Sequence, residues 1–251
     1  EVEKSGIVYK LPAGSYYLAD NITISCPVYV EIGTVNLCLN GHTITLQNSR
    51  EAVFTINNSG ATLNLTDCSK SETATIGHNV NPRENGGGVS VTSGTFNMYG
   101  GTISGNKANS GVYVGNGGTF TMNGGTISGN NAIKGGGVCV TDANSKFNMY
   151  GGTITDNTAT KGGGGVYVSG GTFTMNGNAS VTSNRATDRD NGTGGGVYVV
   201  GGTFTMSGGT ISGNTADSTD GGVGVYTTST TATFTMNGGT ISGNTATNGG
   251  G

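Results

Sequence analysis

The sequence predicts an all-β chain: a parallel β-helix, or solenoid, of about eight three-strand coils with an N-terminal cap. Three observations lead there. First, a motif typified by Gly118-Thr119-Phe120-Thr121-Met122-Asn123-Gly124-Gly125-Thr126-Ile127-Ser128-Gly129-Asn130 recurs from residue 94 to the C-terminus. Second, its phenylalanines, Phe96, Phe120, Phe147, Phe173, Phe204 and Phe234, lie 24, 27, 26, 31 and 30 residues apart. A fixed motif with an elastic period marks stacked units whose length changes fall in turns. Third, 50 of the 251 residues are Gly and only 3 are Pro. Without a strict Gly-X-Y period this is not collagen, and the strand alternation argues against a disordered linker.

Each element of one repeat follows from local pattern. Gly111-Val112-Tyr113-Val114 is a strand with both valines inside and Tyr113 outside. Thr119-Phe120-Thr121-Met122 alternates with period two, so Phe120 and Met122 face in and the threonines face out. Gly124-Gly125 breaks it. Thr126-Ile127-Ser128 is a shorter strand with Ile127 inside, and Gly129-Asn130 turns the chain because Gly and Asn accept positive φ most readily. Three strands and three turns in about 25 residues leave no room for a helix. A lone coil buries too little apolar surface to offset the entropy of ordering it, so coils must stack.

Along the chain, residues 1–27 are less repetitive and read as strand, turn, strand, an N-terminal cap that shields the core from water. From Val28 to the end, 28–251, the coil pattern is continuous. Val28-Tyr29-Val30, Val35-Asn36-Leu37-Cys38-Leu39 and Thr43-Ile44-Thr45 supply a first coil, and 53–56, Leu63-Asn64-Leu65 and Thr75-Ile76-Gly77 a second. Six more begin near Val89, Val112, Val138, Val166, Val197 and Val225, the last with its register open between Val223 and Val225. At ~4.8 Å between strands the rod is roughly 40 Å long. The chain starts Glu1-Val2-Glu3 and ends Gly249-Gly250-Gly251, where earlier repeats continue into Val-Tyr-Val. It therefore reads as a segment of a longer protein, and its C-terminal coil as an open edge prone to end-to-end self-association.

Charged residues are 10% of the chain and the net charge is −3. With no basic run, nucleic acid and anionic membranes are not expected partners. No apolar run is long enough to insert across a bilayer. The four cysteines, Cys26, Cys38, Cys68 and Cys139, permit disulfides, Cys26–Cys38 or Cys38–Cys68 between neighbouring coils, or free thiols filling small sites. No CxxC or His/Cys pairing points to a metal, and no cofactor is expected.

Stacking turns equivalent residues into columns. Asn79, Asn106, Asn130, Asn157, Asn184, Asn214 and Asn244 form an asparagine column, read as amides that hydrogen-bond along the rod and hold a left-handed turn. Tyr113, Tyr167 and Tyr198 form an outward aromatic column, interrupted by Cys139 and Ser90, suited to stacking on sugar rings or anchoring a protein. These three are the candidate ligand-binding residues. Thr and Ser columns flank the Ile strands. Thr102, Thr126, Thr153, Thr182, Thr210 and Thr240 are the alternative candidate face, an array of hydroxyls and methyls that orders water. Catalysis finds little support. His42 and His78 are the only histidines, and His78 stands where Gly129 stands in its own repeat. Arg185-Ala186-Thr187-Asp188-Arg189-Asp190 reads as a solvated, salt-bridged turn, with a weak calcium or ligand site as the alternative. The glycosylation sequons at Asn21, Asn64 and Asn191 are of a kind expected by chance in so Asn- and Thr-rich a chain. No catalytic residue is assigned, and the chain is not expected to be an enzyme.

Gly-Gly-Gly-Val-Tyr-Val followed by Gly-Thr-Phe-Thr-Met-Asn-Gly-Gly-Thr-Ile-Ser-Gly-Asn-Thr-Ala resembles the repeats of right-handed parallel β-helix proteins of the bacterial surface. It is similar to the arrays of large adhesin-like proteins of anaerobic bacteria and, distantly, to the repeats of chlamydial polymorphic outer membrane proteins. The resemblance spans 28–251 and implies a right-handed coil, an extracellular or cell-surface location, and a host or cell-surface glycan or protein as partner. Two alternatives accompany it: an ice-binding, water-ordering protein using the Thr/Ser columns, and a polysaccharide lyase or hydrolase. Pectate lyases share the β-helix, but their clustered calcium-binding acids and basic catalytic residue have no counterpart in this sequence.

Overall fold

The computed structural model describes residues 3–5, 8–47, 49–69, 74–78, 87–108, 110–188, 193–217 and 222–246. Among these it is all-β, without a helix, and its parallel sheets stack as a right-handed β-helical solenoid. The predicted strands of the typical repeat are found at Val112–Val114, Thr119–Met122 and Thr126–Ser128. Each pairs in parallel with its counterpart in the next coil: Val112 opposite Val138, Phe120 opposite Phe147, Ile127 opposite Ile154. In some coils the last two strands run on as one, as in Gly202–Ser212 and Ala232–Ser242.

The stack begins earlier than Val28. Val8–Leu11, Gly14–Tyr17 and Ile22–Ile24 pair in parallel with Val28–Val30, Gly33–Cys38 and Ile44–Leu46. Glu3–Ser5 runs antiparallel to Val8–Leu11 beyond them. At the other end the register is settled: Val225 pairs with Val197, and Val223 is buried elsewhere, against Ala186 and Ala216.

That second small core belongs to a strand the three-strand reading lacks. Lys107–Ala108, Asn131–Ala132, Thr158–Ala159, Arg185–Ala186, Thr215–Ala216 and Thr245–Ala246 form their own parallel sheet after the asparagine turn. Two residues are too few to show a period, so the sequence carries no alternation to reveal it.

The main core is built of identical side chains in register. Phe96, Phe120, Phe147, Phe173, Phe204 and Phe234 stack with ring centroids 4.5–5.0 Å apart and interplanar angles of 5–19°. The spacing is that of the β-ladder itself, so the backbone imposes the stack and the rings fill it. Beside it run Met98, Met122, Met149, Met175 and Met206, all fully buried. These methionines explain the second glycine of the Gly-Gly corner. A Cβ on Gly125, whose φ is +82°, would lie 2.6 Å from Met98 Cε of the preceding coil, and one on Gly152 equally close to Met122 Cε. The corner must be bare for the methionine beneath it.

The asparagine column is a continuous buried ladder. Each Nδ2 donates to the Oδ1 of the next coil: Asn106 to Asn130 (2.8 Å), Asn130 to Asn157 (2.9 Å), Asn157 to Asn184 (3.0 Å), Asn184 to Asn214 (3.0 Å) and Asn214 to Asn244 (2.9 Å). Each backbone N–H from Asn106 to Asn214 donates to the same oxygen. Asn79, the first residue of the predicted column, lies outside the described residues. One expectation is corrected: the left-handed residue is the one before the asparagine. Gly105, Gly129, Asp156, Ser183, Gly213 and Gly243 carry φ of 54–69°. The asparagine keeps an ordinary φ because its side chain must point inward to reach its neighbours.

Cysteine pairing is also settled. Cys38 and Cys68, in adjacent coils with Cα atoms 5.9 Å apart, form a disulfide, while Cys26 and Cys139 are free.

Candidate functional site

The outer face of the Val sheet carries the predicted tyrosines, and strand pairing makes the column longer than the sequence suggests. It runs Lys10, Tyr29, Thr55, Ser90, Tyr113, Cys139, Tyr167, Tyr198 and Tyr226. In the Val-X-Val strands the valines on either side point into the core, as do Phe54 and Ile56 beside Thr55, so alternation sends the residue between them outward.

Outward is not the same as exposed. Tyr113 and Tyr198 are half-buried, but Tyr167 is only 5% exposed and Cys139 6%. The three tyrosines point outward as the alternation predicts, but Tyr167 is covered by its neighbours. Tyr198 packs edge-on against Tyr167, centroids 5.5 Å apart at 78°, and Tyr226 lies 5.3 Å beyond Tyr198. Lys134 lays its ammonium over the Tyr167 ring, 5.1 Å from the centroid, as a cation–π contact. The Gly-rich turn that enters the Val166 strand closes over the column too. A Cβ on Gly162 (φ +113°) would meet Tyr198 Cδ1 at 2.5 Å, so only glycine lets the backbone lie on that ring.

Where Cys139 replaces a tyrosine, the shorter side chain leaves a gap between Tyr113 and Tyr167. The result is a cleft of about 350 Å³ lined by Tyr113, Ile133, Lys134, Cys139, Thr141, Tyr167 and Ser169. Its volume is at the low end of the range for small-ligand sites. Tyr113 Oη lies 2.9 Å from Thr141 Oγ1, which fixes the ring as one wall. Ile133, 47% exposed, forms an apolar rim. Thr141 Oγ1 in turn donates to Asp142 Oδ2 at 2.8 Å. The Asn116 N–H (3.0 Å) and then the Thr141 hydroxyl hold the Asp142 carboxyl below its usual range. Burial pushes the Cys139 thiol up to about 12, against a smaller opposing effect of Lys134, so the floor of the cleft is a neutral thiol.

A second cleft, about 450 Å³, lies on the same face around Tyr29, lined by Lys10, Val30, Glu31, Ile32, Asn57 and Asn58. Its charges are paired internally: Lys10 Nζ sits 3.4 Å from Glu31 Oε1, and Tyr29 Oη donates to Glu51 at 2.6 Å. Burial first, then the Glu51 carboxylate, raises the Tyr29 phenol to about 12.

The candidate water-ordering residues stand on the Ile sheet. Thr102, Thr126, Thr153, Thr210 and Thr240 share one column, whose fourth place is taken by Ser180; Thr182 belongs to the parallel column of Ser104, Ser128, Thr155, Ser212 and Ser242. Both columns are half-buried up to Ser212 and exposed in the last coil. His78 is 4% exposed, in the strand Thr75–His78 opposite Leu46. Asp190 lies outside the described residues, and Asp188 is in the turn after Arg185–Ala186.

Sequence reasoning named Tyr113, Tyr167 and Tyr198 of this face but missed Lys134, Ile133, the early members Lys10 and Tyr29, and Tyr226. Lys134 and Ile133 sit in a turn, where no periodicity assigns a direction. Tyr29 stands in the Val28-Tyr29-Val30 strand, and its Val-Tyr-Val pattern was the available signal. No protein family, curated protein or solved structure matches this chain.

Proposed function

We propose that the chain is an adhesin-like repeat segment of a bacterial surface or secreted protein whose Val face binds a host or cell-surface glycan. The observation that carries this is the cleft between Tyr113 and Tyr167 over Cys139. An aromatic wall, hydroxyls at Thr141 and Ser169, an apolar rim and a cation within about 350 Å³ are the groups that recognise a sugar ring. The Cys38–Cys68 disulfide supports an oxidising, extracellular setting. The role is binding rather than catalysis: the lining includes a neutral thiol and no histidine or carboxylate to move a proton near neutral pH.

The test is a glycan array probed with the wild-type chain and with Tyr113→Ser. Tyr113 is the right position because its ring is half-exposed, whereas Tyr167 is packed beneath Lys134 and Tyr198. Loss of one aromatic anchor costs about 1–2 kcal/mol or more, roughly a tenfold fall in affinity. Wild-type binding undiminished by Tyr113→Ser refutes the site. Binding to a host protein with no glycan bound refutes the choice of ligand.

The two unbroken Thr/Ser columns favour a second reading, water ordering. It expects freezing-point hysteresis in the wild type, abolished by bulky residues at Thr126, Thr153 and Thr210 and untouched by Tyr113→Ser. Hysteresis without glycan binding would replace the first reading by the second.

A further inference from the structure

The two clefts of the Val face have similar volumes but different electrostatics, and the difference names a ligand class. At the Tyr29 cleft the lysine is neutralised by Glu31. At the Tyr113–Tyr167 cleft no lining residue is acidic, and Lys134 has no ion pair among the described residues. Asp142, next to Thr141 at the rim, is turned to the Asn116 N–H and the Thr141 hydroxyl.

The next coil adds to this. The Thr160 N–H donates to Ala132 O at 3.0 Å and the Lys161 N–H to Ile133 O at 2.7 Å. Register therefore places Lys161 directly beside Lys134, about 4.8 Å along the rod. Lys161 is exposed and likewise has no ion pair among the described residues. Like charges opposite one another in a ladder disfavour pairing unless something neutralises them. Asp188 follows one coil later, directly beside Lys161, since its N–H donates to Thr160 O at 2.9 Å; it bounds the positive stretch at two residues and sets an opposite charge next to Lys161, leaving Lys134 as the lysine with no acidic neighbour in this ladder.

We infer that the ligand of this face is an anionic oligosaccharide, with one sugar ring against Tyr113 in the cleft and its carboxylate or sulfate groups against Lys134 and Lys161. This rests on the glycan-binding reading above and narrows it. The Lys134 ammonium, already held over the Tyr167 ring, is positioned before the ligand arrives, so little side-chain freedom is lost on binding. A repeat of about 5 Å per coil lets successive anionic groups of a chain running along the rod meet successive lysines.

The experiment is calorimetric titration of the purified 251-residue chain with three probes of matched length: oligogalacturonate for carboxylate, a heparin-derived oligosaccharide for sulfate, and a neutral galactan oligomer. Each is run at low and at moderate salt on wild type, Lys134→Gln, Lys161→Gln, Lys134→Arg and Tyr113→Ser. Circular dichroism confirms folding, which these half-exposed or exposed positions should preserve. The expected result is at least tenfold tighter binding of one anionic probe than of the neutral one, weakening as salt rises. The glutamine variants should lose that tenfold preference and most of the salt dependence, and Lys134→Arg should keep both. Whichever anionic probe wins tells carboxylate from sulfate recognition. Equal affinity for neutral and anionic probes overturns the anionic inference while leaving the glycan reading standing, as does an anionic preference that survives both glutamine changes. Anionic binding lost in the lysine variants but unchanged in Tyr113→Ser overturns the Tyr113 cleft instead. No binding of either anionic probe by wild type overturns the inference outright.

Discussion

Replacing Asn157 by alanine should be among the most damaging single changes outside the aromatic core. Its side chain is fully buried. Nδ2 donates to Thr155 O and Ile127 O, each at 2.9 Å, and to Asn184 Oδ1 at 3.0 Å. Oδ1 accepts from the Asn130 N–H at 3.1 Å and from Asn130 Nδ2 at 2.9 Å. Alanine deletes the partner of the Asn130 N–H and leaves the buried Ile127 carbonyl without this donor. The Asn130 side chain still has Ile103 O at 3.0 Å. Counting two buried groups left unsatisfied, at about 1–3 kcal/mol each, the cost is roughly 2–6 kcal/mol. That is a large share of the ~5–15 kcal/mol by which folded domains are stable. Urea titration followed by far-UV circular dichroism reads it, with Asn148→Thr as control. Asn148 stands between Thr121 and Thr174 on the outer face, so threonine there should change stability by no more than about 0.5 kcal/mol. Asn157→Asp sharpens the test. A carboxyl group buried without a cation has its folded-state pKa raised above the unfolded value near ~3.9. The variant should be most stable below that pH and lose stability as pH rises. Asn157→Ala costing no more than the Asn148 control would refute the ladder as the element that locks coil to coil.

Two further outcomes follow from the cysteines. Since burial holds Cys139 protonated up to about 12, iodoacetamide at pH 8 should label Cys26 in the native protein and Cys139 only after unfolding; mass spectrometry showing both alkylated at one rate contradicts the burial. The Cys38–Cys68 disulfide spans 30 residues, for which chain entropy gives about 3–4 kcal/mol, so reduction should lower the urea midpoint of the N-terminal coils; an unchanged midpoint in Cys38→Ser/Cys68→Ser counts against that stabilisation.

What was legible in the sequence were the features that repeat with a period. Val112, Phe120 and Ile127 announce their strands because each is flanked by polar residues at period two, and their counterparts pair in the register the alignment of motifs implies. Thr158–Ala159 and its equivalents carry no such signal, and with them went the small core around Ala186, Ala216 and Val223. The site was half legible. Alternation correctly sends Tyr167 outward, but whether an outward ring meets solvent depends on what crosses over it. Here that is Lys134 from a turn and Tyr198 from the next coil. The cleft exists because Cys139 is smaller than the tyrosines in its column, a difference of volume in one position that no pattern of polarity encodes. The same limit hid Tyr29: its strand was recognised, but its place in the tyrosine column follows from pairing through Thr55 and Ser90.

The rod is locked by different means along its length, and the difference bears on where a ligand can sit. From Asn106 to Asn244 the coils share one internal amide chain. Nearer the N-terminus the side-chain ladder is on the outside: Asn97 Nδ2 donates to Asn64 Oδ1 and Asn64 Nδ2 to Asn36 Oδ1, each at 2.8 Å, and Asn36 Nδ2 to Ser15 Oγ at 3.3 Å. The covalent tie between coils, Cys38–Cys68, falls in this same stretch. An outer amide ladder uses up donors and acceptors that would otherwise face a partner, whereas an inner one leaves the outer strand positions free. In the coils with the inner ladder those positions are mostly threonines, serines and tyrosines, with Cys139, Lys146 and Asn148 among them, and Lys134 and Lys161 stand in the adjoining turns, on a frame stiffened from within. Since repeat stability is a sum of nearest-neighbour terms, a frame locked this way keeps the spacing of Tyr113, Lys134 and Lys161 fixed without any contact among them having to do so. The proposed binding face therefore coincides with the stretch in which stability has been moved off the surface.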